Sequence, residues 1–125
     1  WLRRRLSSVI MLGESPNVGP KTLEVTLVSA RHLPKMDIFN KVDPYVKLEF
    51  NGVEYESEVC RNTFSPEWGQ KFCFLVPEPS QIFEGLRLAV LDWERFAEDS
   101  PVGFAEISPA SIVEIMQLED GAVSE

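Results

Sequence analysis

An antiparallel β-sandwich is the fold class this chain predicts, on three observations. Short hydrophobic runs alternate residue by residue over much of its length, the period of a strand with one face buried. Pro, Gly, Asn and Asp punctuate those runs at the regular spacing of sandwich turns. The 125 residues make one domain by size, and 44% of them are hydrophobic, enough for a core that needs no disulfides.

The elements follow in order. Residues 1–12, WLRRRLSSVIML, mix three arginines with apolar residues and read as a strand or a loosely docked arm. Within them Arg4-Arg5-Leu6-Ser7 resembles a site for a basophilic kinase. Residues 13–20, GESPNVGP, hold two glycines and two prolines and read as a linker. The division is therefore a basic arm and linker over 1–20 and the folded domain over 21–125. From Thr22, Leu23, Val25 and Leu27 alternate with Thr22, Glu24 and Thr26, a half-buried strand that Pro34 ends. Pro44 opens a strand over 45–50, in which Val46, Leu48 and Phe50 share one face. Asn51-Gly52 follows, a strong short hairpin signal, and 53–59 is the return strand. Ser65-Pro66 makes another turn, and 71–76, 86–91 and 102–107 are strand-prone runs. Ser108 as N-cap, Pro109 at the first position and apolar Ile112, Ile115 and Met116 predict a short helix, Pro109–Met116.

Charge narrows the partners. Residues 21–125 carry 9 Lys/Arg against 19 Asp/Glu, a net of −10. A body that acidic repels nucleic acid and anionic lipid alike, so a membrane role needs a cation to reverse the local sign. No apolar run approaches the ~18–20 residues that cross a bilayer. Two cysteines, Cys60 and Cys73, are too few for a disulfide framework and read as free thiols of a reducing compartment. The first residue is Trp1 rather than Met, so a monomeric domain within a longer protein is expected.

The acids cluster in two loops. Asp37 and Asp43 lie six residues apart between the first two strands, and Asp92, Glu94, Glu98 and Asp99 follow about fifty residues later. Carboxylates brought together from distant loops at one end of a rigid sandwich need a cation. Calcium suits them, since it takes about 6–8 oxygen ligands from flexible loops. An EF-hand does not fit. With Asp37 at its first position, the required Gly and Glu would be Val42 and Leu48.

Three stretches carry a family resemblance: Leu33-Pro34-Lys35-Met36-Asp37 with Asp43-Pro44-Tyr45-Val46-Lys47-Leu48, then Asn62-Thr63-Phe64-Ser65-Pro66-Glu67-Trp68, then Leu91-Asp92-Trp93-Glu94-Arg95-Phe96 with Val102-Gly103. They resemble, in order and spacing, the three loops of calcium- and phospholipid-binding C2 domains, most closely those of synaptotagmins and conventional protein kinase C. The resemblance covers about residues 22–118. It implies eight antiparallel strands in a sandwich, with calcium loops at one end. It assigns Asp37, Asp43 and Asp92 to the metal, with backbone carbonyls of Met36 and Trp93 completing the shell. Two positions depart from the family pattern: Glu94 replaces an aspartate, and Ser100 replaces another, with Asp99 adjacent. One good site is expected on Asp37, Asp43, Asp92 and Glu94, and a weakened second one.

The loop tips add apolar groups. Ile38 and Phe39 follow Asp37, and Phe96 stands beside Arg95. Each aromatic gains up to about 1.5–3 kcal/mol if fully buried. Ions bridging to lipid phosphate and side chains dipping below it make a two-part anchor. The expected function is thus a calcium-dependent module that recruits a larger protein to the cytosolic face of an anionic phospholipid membrane. The alternative is a calcium-independent C2 fold that binds a protein partner. Glu54, Glu56 and Glu58, all on one predicted strand face, oppose phosphoinositide headgroups; the face reads first as a solvated edge, and otherwise as a surface for a basic protein partner. No zinc spacing, phosphate loop or nucleophile elbow appears, and the single histidine, His32, reads as structural or solvated, so no enzymatic activity is expected.

Overall fold

The computed structural model describes residues 10–14, 21–34, 41–117 and 122–124. Among the described residues eight strands are formed: β1 (Ile10–Glu14), β2 (Thr22–Ser29), β3 (Pro44–Phe50), β4 (Val53–Glu56), β5 (Glu67–Leu75), β6 (Leu86–Asp92), β7 (Ser100–Ile107) and β8 (Ala122–Ser124). Among the described residues one α-helix, α1 (Pro109–Met116), stands near the C-terminus. The strands make two four-stranded sheets, β5-β2-β1-β8 and β4-β3-β6-β7, with antiparallel pairing throughout. The predicted sandwich, its antiparallel sense and its short helix are all present.

Alternation builds the core. Leu23, Val25 and Leu27 of β2 are buried with Val46, Leu48 and Phe50 of β3, Phe74 of β5 and Leu88 and Val90 of β6 in one cluster. Phe50 and Phe74 meet edge to face, their centroids 5.9 Å apart. Ile112 and Met116 join the cluster from α1. Ser108 caps that helix by accepting from the Ser111 amide at 3.1 Å, as the sequence predicts. Asn51 and Gly52 both take positive φ, 52° and 75°, the backbone that a two-residue hairpin turn requires. Gly85 serves a different need: a Cβ there would stand 1.8 Å from the Ile107 carbonyl oxygen, where the start of β6 meets the end of β7.

Several boundaries differ from expectation, each for a local reason. β1 falls across the segment read as arm and linker, with Gly13 and Glu14 opposite Glu24 and Leu23 of β2. β2 ends at Ser29 rather than at Pro34. Beyond it the chain turns to the loop over 57–66: the Ala30 amide donates to the Pro66 carbonyl and that of Leu33 to the Phe64 carbonyl. His32 lies in this stretch, exposed, with φ 54°. β4 stops at Glu56, three residues before the predicted end. Ser57 is buried, and its hydroxyl accepts from the Val46 amide at 2.8 Å, which replaces a ladder bond and turns the chain. Glu58 therefore leaves the face that Glu54 and Glu56 share, and its amide donates to the Gln70 side chain. β5 starts at Glu67, earlier than predicted, because a bulge lets Glu67 pair with Ser29.

Candidate functional site

The described residues of the loops that follow β2, β4 and β6 gather at one end of the sandwich, and Asp43 ties them together. Its backbone amide donates to Asp92 Oδ1 at 2.8 Å, across 49 residues of sequence. Its carbonyl accepts from the Trp93 amide at 3.0 Å. Its Oδ1 accepts from the Asn62 amide at 2.6 Å. The cause is register: Pro44 of β3 lies opposite Asp92 at the end of β6, so the residues just outside the ladder must meet. Asn62 reaches its place through a left-handed φ of 54°. The Thr63 amide bonds the Val42 carbonyl and the Cys60 amide that of Pro44, which pins the second loop against the first.

The third loop, over 93–99, closes on itself. The Glu94 amide donates to Asp99 Oδ1 at 2.8 Å, and the buried Tyr45 hydroxyl donates to Asp99 Oδ2. These two bonds hold the Asp99 carboxyl below the usual carboxylate range, the tyrosine bond first. Burial, then the same hydrogen bond, pushes the Tyr45 phenol above its ordinary value. Arg61 of the second loop lies over the Trp93 ring, 4.3 Å from its centroid, a cation–π contact between the two loops.

The site residues named from sequence thus separate into groups. Asp43 and Asp92 are brought into contact through the Asp43 amide. Trp93 and Glu94 follow Asp92 directly, and Ser100 opens β7 opposite Asp92. Asp99 has both carboxylate oxygens engaged within the protein. Phe96 is 91% exposed, with the Arg95 guanidinium 5.1 Å from its ring centroid. Met36, Asp37, Ile38 and Phe39, like the basic run around Ser7, lie outside the described residues. Among the described residues, no three acidic, histidine or cysteine side chains stand close enough to hold a metal. The donor chemistry still suits a hard cation: it is all oxygen, and the bonds to Asp43 and Asp92 engage the Oδ1 atoms.

Three participants were not singled out by the sequence reading. Tyr45 is visible in Asp43-Pro44-Tyr45, but nothing in the pattern tells that its hydroxyl reaches the third loop. Asn62 precedes the Ser65-Pro66 turn, where a left-handed Asn is a recognised option. Arg61 gives no signal of its own, because its partner is distant in sequence. Elsewhere, Cys60 and Cys73 are free thiols. Among the described residues no helix is long and apolar enough to cross a membrane.

Comparison with known proteins places this arrangement. The family model of the C2 domain matches residues 21–122. Synaptotagmin-1 of Aplysia californica is 34% identical over 93 residues, 72% of this chain and 22% of that protein. The crystal structure of a RIM C2 domain from Drosophila, the A domain, superposes with a TM-score of 0.72, covering 95% of this chain and 97% of that one at 19% identity. The paired C2 domains A and B of extended synaptotagmin 2, calcium bound, superpose with a TM-score of 0.65, covering 87% of this chain and 37% of that one, also at 19% identity. At 19% identity these two likenesses are of fold. The chain spans 12–26% of the length of the first curated relatives it matches. With the three-loop end built on a two-sheet sandwich and the family model spanning it, this chain belongs to the C2 domain family.

Proposed function

We propose that this domain is a calcium-dependent phospholipid-binding module that carries a larger protein to the cytosolic face of anionic membranes. The observation that supports it most is the meeting of Asp43 and Asp92 from distant loops, beside a third loop whose tip holds Phe96 almost wholly exposed. Acids gathered at one end and joined by none of the ion pairs among the described residues leave negative potential there, and an exposed phenyl ring is costly in water. A cation relieves the first and a membrane the second.

Asp43, Asp92 and Glu94 would hold the ion from the described loops, joined by the Trp93 carbonyl and, from the first loop, by Asp37 and the Met36 carbonyl. Asp99 and Ser100 would contribute at the weaker second position. An ion held there would supply positive charge that offsets the acidic end and draws lipid phosphate. The chain's own residues do the rest. Asp43 fixes the spacing of the three loops through its amide, carbonyl and carboxylate. Phe96 and Arg95 face the membrane at the tip of the third loop, with Ile38 and Phe39 assigned to the first. The extended synaptotagmin 2 domains solved with calcium bound support the reading by likeness of fold.

A second reading, a calcium-independent scaffold for a protein partner, is favoured by the same hydrogen bonds. Oδ1 of both Asp43 and Asp92 and both oxygens of Asp99 already have donors, so these loops have internal ties without a metal.

Isothermal titration of calcium into the chain, with and without phosphatidylserine vesicles, separates the two. The membrane reading expects weak binding in solution, tightened by anionic vesicles by a factor of about 5–150 and little changed by neutral ones. Tight calcium binding unmoved by lipid would mean a structural ion, and no calcium binding at all would leave the scaffold reading.

A further inference from the structure

The outer face of the β4-β3-β6-β7 sheet carries an acidic groove that the loop end does not use. Register lines up two rows of outward side chains across it, Glu56-Lys47-Ala89-Phe104 and Glu54-Glu49-Arg87-Glu106. Ala89 has the smallest side chain of its row and leaves a hollow, so the face forms a groove of about 480 Å³. Lys47, Glu49 and Glu54 line one side and Phe104 and Glu106 the other. Phe104 is 58% exposed.

The cations of this face are already engaged. Lys47 Nζ lies 3.8 Å from Glu54 and 3.7 Å from Glu56. Arg87 bonds Glu49 and stands 3.1 Å from Glu84. Glu106 takes part in none of the ion pairs among the described residues. Two cations among Glu49, Glu54, Glu56, Glu84 and Glu106 leave this face at −3. An anionic occupant, lipid headgroup or phosphate, meets net repulsion there.

We propose that this groove docks an arginine- or lysine-bearing segment of a partner protein. The aliphatic stem of one basic side chain lies over Ala89 and along the Phe104 ring. Its charged head sits among Glu49, Glu54 and Glu106. Long basic side chains suit such a site because they bury their stems on apolar surface while the head stays paired. The ring adds a cation–π contribution that needs no formal charge on the protein. Complementary potential supplies the on-rate and the discrimination against acidic partners. The proposal is independent of calcium, since none of these residues belongs to the loop end.

The test is fluorescence anisotropy of a labelled oligoarginine peptide with the full chain, at physiological ionic strength. The double variant Glu54→Lys with Glu106→Lys is expected to weaken binding about tenfold or more. Phe104→Ala leaves every charge in place and is expected to weaken it about two- to fivefold. This exposed site also keeps the proposal testable should the double variant fail to fold. The charge-matched control Glu24→Lys with Glu114→Lys, and Glu98→Lys in the third loop, are expected to change binding by less than about twofold. Equal losses from the controls would mean that net charge alone attracts the peptide and would overturn the proposal. So would unchanged binding in Phe104→Ala, or binding of phosphoinositide vesicles in chelator that Phe104→Ala abolishes.

Discussion

Two acidic regions of this domain treat their carboxylates in opposite ways. On the β4-β3-β6-β7 face, Glu49, Glu54 and Glu56 are paired with Lys47 and Arg87. At the loop end, Asp43, Asp92 and Asp99 are held by backbone amides and by the Tyr45 hydroxyl, and none of the ion pairs among the described residues includes them. An amide orients a carboxylate without cancelling its charge. The loop end therefore keeps its charge outside these ion pairs, while the sheet face has a large part of its charge balanced from within. On the proposed reading, the first would switch with calcium and the second would persist without it.

The sharpest way to break this contrast is to remove charge from the loop end while keeping its hydrogen bonds. Asp92→Asn does so, because the amide oxygen can still accept from the Asp43 amide. If the loop end responds to calcium, the wild type gains about 2.7 kcal/mol of stability at a calcium level about 100 times Kd. The variant is expected to lose most of the corresponding rise in melting temperature, measured in calcium and in chelator. Superimposed wild-type curves in the two buffers would remove the metal from the account and leave the fold untouched.

The loop tips come next in size. Replacing Phe39 and Phe96 together with alanine is expected to weaken vesicle binding by on the order of 2 kcal/mol at interfacial depth, less than full burial of both rings would give. Calcium-induced stabilisation should survive. Phe96 at 91% exposure has little packing to lose, so its single replacement should leave the melting temperature nearly unchanged. A large drop would show that the ring belongs to the core.

The contrast also explains what the sequence could tell. Leu23, Val25 and Leu27, or Val46, Leu48 and Phe50, declare their burial by period, and Asn51-Gly52 declares its turn by chemistry. Each rests on neighbours in the chain, so a single sequence carries it. Asp43 and Asp92 were legible as members of a known motif, though not as partners through the Asp43 amide. Tyr45 with Asp99 and Arg61 with Trp93 were not legible, since each pair joins residues whose meeting depends on the register of separate strands. The early end of β4 was hidden for a similar reason. Ser57 looks like one more position in an alternating strand until its hydroxyl is seen to take the Val46 amide.

A smaller effect tests the clasp of the third loop. Tyr45→Phe removes one buried hydroxyl donor and is expected to cost about 0.5–1.5 kcal/mol. Asp99 and Tyr45 also give the clasp a pH window. The Asp99 carboxyl is held below its usual value, so the stability it lends is present above the ordinary carboxylate range and is lost as pH falls through its lowered value. Tyr45 is raised, so its contribution is present below the ordinary tyrosine range and is lost as pH rises through its raised value. Melting curves across pH should show a shallower acid limb in Asp99→Asn and a shallower alkaline limb in Tyr45→Phe. Limbs parallel to the wild type would mean that the clasp does not couple to folding.

The smallest effect belongs to the sheet face and completes the comparison. Lys47 stands between Glu54 and Glu56, half-exposed, at 3.8 and 3.7 Å. Exposed ion pairs of this kind contribute about 0–1 kcal/mol, because water screens them and two long side chains lose freedom to form them. Lys47→Met keeps the stem that covers the strand and removes the charge. Its melting temperature should fall only slightly, and less at high salt, where the wild-type pairs are already screened. Its calcium response should stay close to that of the wild type, since Lys47 comes last among the influences on the Asp99 carboxyl, behind the Tyr45 and Glu94 hydrogen bonds. A large change in calcium response would mean that the minor influence of Lys47 on Asp99, and of Glu54 and Glu56 on Tyr45, governs the loops. The two regions would then be one electrostatic unit rather than two.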